Sequence, residues 1–224
     1  MPIINDLRRR HQGYSGARPD VVSLLPKHIG SLLDIGCGAG MTGLLVRERN
    51  PGAVLYGIEP DAALATLAEQ HFDQVISERI DADGVLQMLA ANAPYDVIVC
   101  ADVLEHLADP ARVLSGLASL LSGDGVLITS IPNVRHVSTF ISLGLLGTWP
   151  ARDRGIHDRT HLRFYARKDI LQLGGSAGLR PCREKRNLRL MESVPATSIP
   201  AKVFDFWPLR GFLTFQYLHV WTHE

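Results

Sequence analysis

The stretch Leu32 to Gly40, LLDIGCGAG, constrains this chain more than any other part of it. An apolar run carrying one acid, Asp34, leads directly into three glycines in five positions, Gly36, Gly38 and Gly40. A strand entering a GxGxG loop can turn tightly and let a ligand approach its backbone with no Cβ in the way. Such a loop belongs at the carboxyl end of a parallel strand, so the rest of the chain should supply more buried strands with helices between them.

It does. SLLDIG (31–36), AVLYGIE (53–59), YDVIVCA (95–101) and GVLITSI (125–131) are runs rich in Val, Ile and Leu, as strands buried on both faces require. The amphipathic stretches Met41–Arg49, Asp61–His71 and Pro110–Leu121 are predicted helices, punctuated by Asn50-Pro51-Gly52 and Ser122-Gly123-Asp124-Gly125. A weaker strand is expected near Val75–Ile80, with a helix after it. Beyond Ile131 the alternation stops. Residues 132–149 read as a helix with few charges and 151–169 as a polar loop. A helix near Lys168–Ala177 and strands near Leu179–Leu190 and Phe212–Thr222 would then close the sheet. The expected fold is a three-layer, doubly wound α/β sheet of seven strands, Rossmann-like and mostly parallel, with the last strand antiparallel. One domain spans 1–224, with an N-terminal cap segment (1–27) and a lid or acceptor insertion (132–178).

Bulk properties narrow the partners. Lys plus Arg and Asp plus Glu number 23 each, so no global field draws the chain to nucleic acid. Three separated cysteines, Cys37, Cys100 and Cys182, fit reduced thiols in the cytoplasm better than a disulfide framework, and no CxxC pair suggests zinc. No apolar run reaches the roughly 18 residues of a membrane span. The expectation is a soluble cytoplasmic protein acting on a small molecule.

The carboxylates decide which ligand the loop receives. In a phosphate loop, backbone N–H groups and the helix N-terminus favour an anion, and Asp34 beside them would offset that attraction. A cationic group is favoured instead. Glu59, at the end of the next apolar run, can accept hydrogen bonds from vicinal ribose hydroxyls. Pro60 then offers an apolar face to an adenine. A dinucleotide frame GxGxxG can also be read as Gly38, Gly40 and Gly43, which leaves an NAD-dependent oxidoreductase as the alternative, beside a catalytically silent cofactor-binding module.

Adenine, ribose and a cationic amino-acid tail together describe S-adenosylmethionine. In the order and spacing of LLDIGCGAG, LYGIEP, YDVIVCADVLEHL and GDGVLITSIPN, the chain resembles the class I S-adenosylmethionine-dependent methyltransferases over residues 14–180. The resemblance implies that Gly36, Cys37, Gly38 and Gly40 line the methionine side. It also implies that Glu59 holds the ribose, that Ala101, Asp102 and Val103 pass beneath the sulfonium, and that Tyr14 covers the cofactor, in a segment that also carries Arg18. Near adenine the family has an aspartate after the third strand. Here the text is SERIDADG, and Asp81 is favoured over Arg79 and Asp83.

Two further motifs bear on the acceptor. DVLEH places Asp102, Glu105 and His106 at i, i+3 and i+4, so that on a helical turn they share a face. It is similar to the ExxEH element that holds a divalent ion in ubiquinone-pathway and small-RNA O-methyltransferases, with the first acid one methylene shorter. A local turn with no ion is the other reading, and no metal is assigned. HDRTHLRF alternates His157, Arg159, His161 and Arg163, which would share one face if extended. It is similar to a stretch in bacterial methyltransferases of surface-polysaccharide and sugar modification. His161 is expected to reach the site, with His106 and Asp102 as the other candidate bases for a hydroxyl acceptor. The apolar stretch Val134–Leu146 with Trp149 reads either as core or as a lid over an apolar or lipid-linked acceptor.

Overall fold

Alternate residues of the strands diverge to two different apolar layers, and this sets the architecture. In the computed structural model, which describes residues 16–191 and 205–224, the strands are β1 (Ser31–Ile35), β2 (Val54–Ile58), β3 (Gln74–Ile76), β4 (Tyr95–Ala101), β5 (Leu121–Pro132), β6 (Leu179–Leu188) and β7 (Thr214–His223). Leu32, Leu55, Val97, Val99 and Val220 pack on one side with Val21, Val22 and Val46. Those three come from α1 (Pro19–Val22) and α2 (Met41–Arg49), and Ala68 of α3 (Ala62–Ala68) joins them. Leu33, Ile58, Ile98, Leu127 and Trp221 face the other way. There they meet α4 (Val85–Ala90), α5 (Pro110–Ser119) and α7 (Arg167–Ser176) through Leu89, Val113, Leu117 and Ile170. The result is the three-layer α/β sheet expected from the sequence.

The strand order is β3-β2-β1-β4-β5-β7-β6. β1 through β5 pair in parallel, and β7 runs antiparallel to both β5 and β6. The order reverses direction between β1 and β4, and ligands of such sheets bind in the crevice outside the strand carboxyl ends at that point. Local chemistry fixes the helix starts. Asp61 caps α3 by accepting from Ala63 N (2.9 Å) and Leu64 N (3.2 Å). Asp109 caps α5, whose first residue is Pro110.

The stretch 132–149 is not one helix. Asn133 is tied into the sheet edge, donating from Nδ2 to Thr214 O and Gly211 O. Helix begins only at α6 (Val137–Thr139), which runs into a π-helical turn over Phe140–Leu145. Gly147, at φ 63, then turns the chain away. Among the described residues, no helix is long and apolar enough to cross a membrane.

Candidate functional site

A cavity of about 980 Å³ opens at the carboxyl ends of β1, β2, β4 and β5. Asp34, Gly36, Cys37, Glu59, Pro60, Asp81, Ala101, Asp102, Val103, His106 and His161 all line it. Of the other residues singled out in the sequence, Gly38 and Gly40 lie in the loop behind the wall, and Tyr14 falls outside the described residues.

The three loop glycines divide the work. Gly36 has φ 72, and a Cβ there would come within 2.9 Å of Val103 Cγ2, so only glycine fits the floor between β1 and β4. Gly38, at φ 56, turns its N–H to Glu59 Oε2 (2.9 Å). Gly40 does not face the cavity: a Cβ on it would meet Ala68 Cα at 2.9 Å, so it lets α2 start close against α3. Gly43 faces the Phe72 ring, and Gly40, which as second glycine of a dinucleotide fingerprint would approach the ligand, is turned to α3 instead, which counts against a dinucleotide reading of Gly38, Gly40 and Gly43. Cys37 is buried, its thiol pushed up by burial and by Asp34, so it stays an uncharged part of the wall.

Asp34 is 4% exposed, and none of the described residues donates a hydrogen bond to its carboxylate. Burial, opposed by nearby Arg18 and reinforced by Glu59, raises its pKa from 3.8 to about 7. Glu59 is also buried and raised, again chiefly by burial, but its two oxygens are oriented by backbone donors, Gly38 N to one and Asp61 N (3.0 Å) to the other. Asp81 sits across the recess with its carboxylate held by Arg79 at 2.9 Å, which lowers its pKa.

Arg18 is the residue that the sequence did not single out for a role. It enters from the N-terminal side just before α1 and reaches across the cavity. Its guanidinium binds both oxygens of Asp20 (2.9 Å each), Ser130 Oγ (2.9 Å) and Asp102 Oδ2. Gln216, on β7, donates from Nε2 to the other oxygen of Asp102. Asp102 itself is the one non-glycine residue at positive φ (58) among the described residues. Held by Arg18 and Gln216, its carboxylate is not among the ligand atoms that Glu105 and His106 bring within 4.8 Å. The helical spacing i, i+3, i+4 therefore does not assemble here: the following turn is 3₁₀ and starts at Leu104. Asp102, engaged by a guanidinium and an amide, is also a poor candidate for the base expected of it.

His161 takes the place vacated by Asp102. Glu105, His106 and His161 present ligand atoms within 4.8 Å of one another. Among the described residues, neither carboxylate oxygen of buried Glu105 has a hydrogen-bond partner, and burial followed by the charge on Asp102 raises its pKa well above the ordinary range. His161 Nδ1 lies 3.1 Å from Ile156 O, which can only accept, so Nδ1 carries the proton and the lone pair of Nε2 faces Glu105 Oε1 at 4.0 Å. His161 is depressed in pKa by burial and by His106, whose ring meets it edge-on at 4.6 Å. Orphaned acceptors converging on one small space suit a divalent cation. The three residues would hold one with His161 and Glu105 as first ligands, while Asp102 is committed elsewhere.

The loop that carries His161 is not extended. Asp158 Oδ1 accepts from Thr160 N (2.8 Å), and His161 N donates to Asp158 O (3.1 Å), so the chain turns twice. His157 and His161 consequently point inward while Arg159 and Arg163 face solvent, and the four do not share a face. Leu162 N and Arg163 N donate to Glu105 O (2.8 and 3.0 Å), locking this loop to the turn after β4.

The chain is similar to known proteins in sequence and in fold. A family model for the methyltransferase domain matches residues 8–184. A ubiquinone biosynthesis O-methyltransferase of Coxiella burnetii is 27% identical over 206 residues, covering 91% of this chain and 80% of that protein. Another so named, from Azorhizobium caulinodans, is 31% identical over 147 residues, 65% of this chain and 54% of that protein. Among solved structures, an S-adenosylmethionine-dependent methyltransferase from Thermotoga maritima, a possible histamine N-methyltransferase, shares the fold at 16% identity. Its TM-score is 0.62, covering 99% of this chain and 96% of that one. So does magnesium protoporphyrin IX methyltransferase from Synechocystis PCC 6803 with bound SAH, at 18% identity and a TM-score of 0.58, covering 99% and 87%. The family match over most of the chain, on a glycine loop flanked by two buried carboxylates at successive strand ends, establishes that this chain belongs to the methyltransferase-domain family and is a class I S-adenosylmethionine-dependent methyltransferase.

Proposed function

We propose that this enzyme methylates a hydroxyl oxygen of a small molecule. The observation that carries this reading is the placement of three proton-accepting or cation-binding groups, Glu105, His106 and His161, beside the floor of the cofactor recess. A hydroxyl must lose its proton as it attacks, and the site is furnished for that step. The ubiquinone biosynthesis O-methyltransferases among the relatives support oxygen as the accepting atom.

Bound S-adenosylmethionine supplies a methyl group already activated by its sulfonium charge. Asp34 would receive the ammonium of the amino-acid tail, Arg18 its carboxylate, and Glu59 the ribose hydroxyls. Asp34 is a buried carboxylate of the lining and Arg18 a cation near it, which suits the two ends of that zwitterion, and Glu59 keeps lone pairs beside its two backbone contacts. Asp81 and Pro60 border the adenine. Nε2 of His161, whose Nδ1–H is anchored on Ile156 O, would take the hydroxyl proton as the acceptor oxygen bonds the methyl carbon and the carbon–sulfur bond gives way. Positioning of the acceptor near 3 Å and exclusion of water carry most of the rate.

The unpartnered oxygens of Glu105 favour a second reading, in which Glu105, His106 and His161 hold a divalent ion that lowers the acceptor's pKa. Transfer of tritiated methyl to a panel of catechols and sugars, with the product atom assigned by NMR, tests both. His161→Gln should lower kcat about 10²-fold with cofactor affinity unchanged. Loss of turnover in EDTA and recovery with Mg²⁺ or Mn²⁺ selects the ion. Methylation of nitrogen or carbon in the product overturns the proposal.

A further inference from the structure

The insertion after β5 leaves its apolar side chains in solvent. Phe140, Ile141 and Leu143 are exposed, and Leu145 and Leu146 stand 68% and 70% exposed on the π-helical turn. The same surface continues through ring contacts. Trp149 packs edge-on against Phe164 (centroids 4.8 Å), and Leu162, two residues before Phe164, is exposed as well. A second apolar group, Phe206, Trp207, Leu209 and Phe212, precedes β7. Pro132 pairs with Gln216, so both groups leave the same edge of the sheet. They are joined there by Asn133 Nδ2 to Gly211 O (2.9 Å) and by Arg135 over the Phe212 ring (5.0 Å). Trp207 is 82% exposed. Contiguous exposed apolar surface of this extent marks an interaction site.

Charge selects the occupant. From Pro132 to Arg152 there is no Asp or Glu, and from Phe206 to His219 none either. Arg135 stacks on the Phe212 ring, Arg154 and Arg163 are exposed in the segment that carries Leu162 and Phe164, and the two neighbouring carboxylates face cations of their own: Asp153 meets Arg159, and Asp205 lies 3.6 Å from Arg186 and 4.0 Å from Arg210. An isologous dimer through this surface would set two arginine-bearing rims against each other, with Asp153 and Asp205 already paired to arginines within each copy. A bilayer with anionic headgroups satisfies both parts: leucine and phenylalanine enter the acyl boundary, tryptophan sits at headgroup level, and arginines meet the lipid phosphates.

We propose that this enzyme docks peripherally on anionic phospholipid membranes through the Phe140–Trp149 turn and the Phe206–Phe212 segment, with its active-site mouth beside the contact. The last part follows from a short relay of contacts: Trp149 rests on His157 (4.9 Å) and Phe164, and Phe164 lies 6.3 Å from the His161 ring. The docking does not depend on which acceptor the enzyme methylates.

The test uses the full chain and large unilamellar vesicles of phosphatidylcholine, with and without 30% (roughly) phosphatidylglycerol, so that charge alone is varied. Of the three tryptophans, Trp221 is already buried, so fluorescence changes report Trp149 and Trp207. The protein should co-sediment with the anionic vesicles, about tenfold less with phosphatidylcholine alone or in high salt, and its emission should shift to the blue. Leu145→Ser with Leu146→Ser should reduce vesicle binding about tenfold or more while S-adenosylmethionine affinity by calorimetry stays unchanged, since neither leucine lines the cavity. Retained cofactor binding separates a failure of docking from a failure of the methyltransferase reading. Absence of vesicle binding by the parent, or binding that the double variant leaves intact, overturns the proposal. So does a parent that dimerises through this surface in sedimentation velocity without binding vesicles.

Discussion

Asp34 is held in a setting that costs the unliganded protein stability, and replacing it should reveal how much. In Asp34→Asn the carboxylate is exchanged for a neutral group of the same shape. The parent carboxyl titrates near 3.8 in the unfolded chain and at about 7 in the fold, chiefly because burial penalises its charge. The folded state therefore binds the proton more tightly, and the sign follows: stability from this group is complete below about pH 4 and declines as pH rises through 7. The full displacement corresponds to about 4 kcal/mol by pH 8, as an upper bound. Asp34→Asn has no such penalty. Its stability should match the parent's at or below about pH 4, exceed it by roughly 1–2 kcal/mol at pH 5, and exceed it at pH 8 by a few kcal/mol.

The same variant should bind S-adenosylmethionine at least tenfold more weakly, because the ammonium loses its anion. In the parent, binding between pH 6 and 7 should release protons as Asp34 ionises opposite that cation, and in Asp34→Asn this release should disappear. Urea denaturation at pH 4, 5, 6, 7 and 8 reads the stability difference. Calorimetry in two buffers of different ionisation heat reads the proton. Parallel pH profiles for parent and variant, or a variant that is the less stable protein at pH 8, would refute the reasoning, since either result means that the Asp34 charge is not paid for by the fold.

Arg18→Gln should weaken S-adenosylmethionine binding by roughly 1.5–3 kcal/mol, the scale of hydrogen bonds to a charged group; unchanged affinity in calorimetry would confine Arg18 to its contacts with Asp20, Asp102 and Ser130. Mn²⁺ at a hundredfold excess over its Kd should stabilise the parent by about 2.7 kcal/mol, a rise of roughly 5–10 °C in Tm, and should leave Glu105→Gln unmoved. An equal rise in both proteins would place the ion away from Glu105. Gly174→Ala, inside α7, sets helix propensity against packing. The gain is about 1 kcal/mol, but the new Cβ would lie 2.3 Å from Trp221 Cζ3, and overpacking of that kind costs about 1–3 kcal/mol. The expected outcome in urea is net destabilisation, relieved in the double variant with Trp221→Phe.

What was legible in the sequence and what was not divides along one physical line. β1, β2, β4 and β5 announce themselves because a parallel strand buried on both faces must be apolar throughout, and Asp34 and Glu59 stand out as charges at the ends of such runs. Arg18 carries no comparable mark: its importance comes from the fold, which brings it to Asp102 and Ser130, residues 84 and 112 positions away. Asp102 was legible as a ligand type but not in direction, because spacing along a helix says nothing once the backbone takes a left-handed step at that residue. His161 lines the cavity, but the extended alternation expected of its loop does not hold: turns at Asp158 bring it inward. Gln216 is the instructive omission. TFQYLHVW is a buried strand with a polar side chain near its start, the same signature that singles out Asp34 near the end of β1. Because β7 runs antiparallel, its start and the end of β1 lie at the same edge of the sheet, and a polar residue at either place faces the cavity. Strand direction, which no local pattern encodes, is what converts that signature into a site residue.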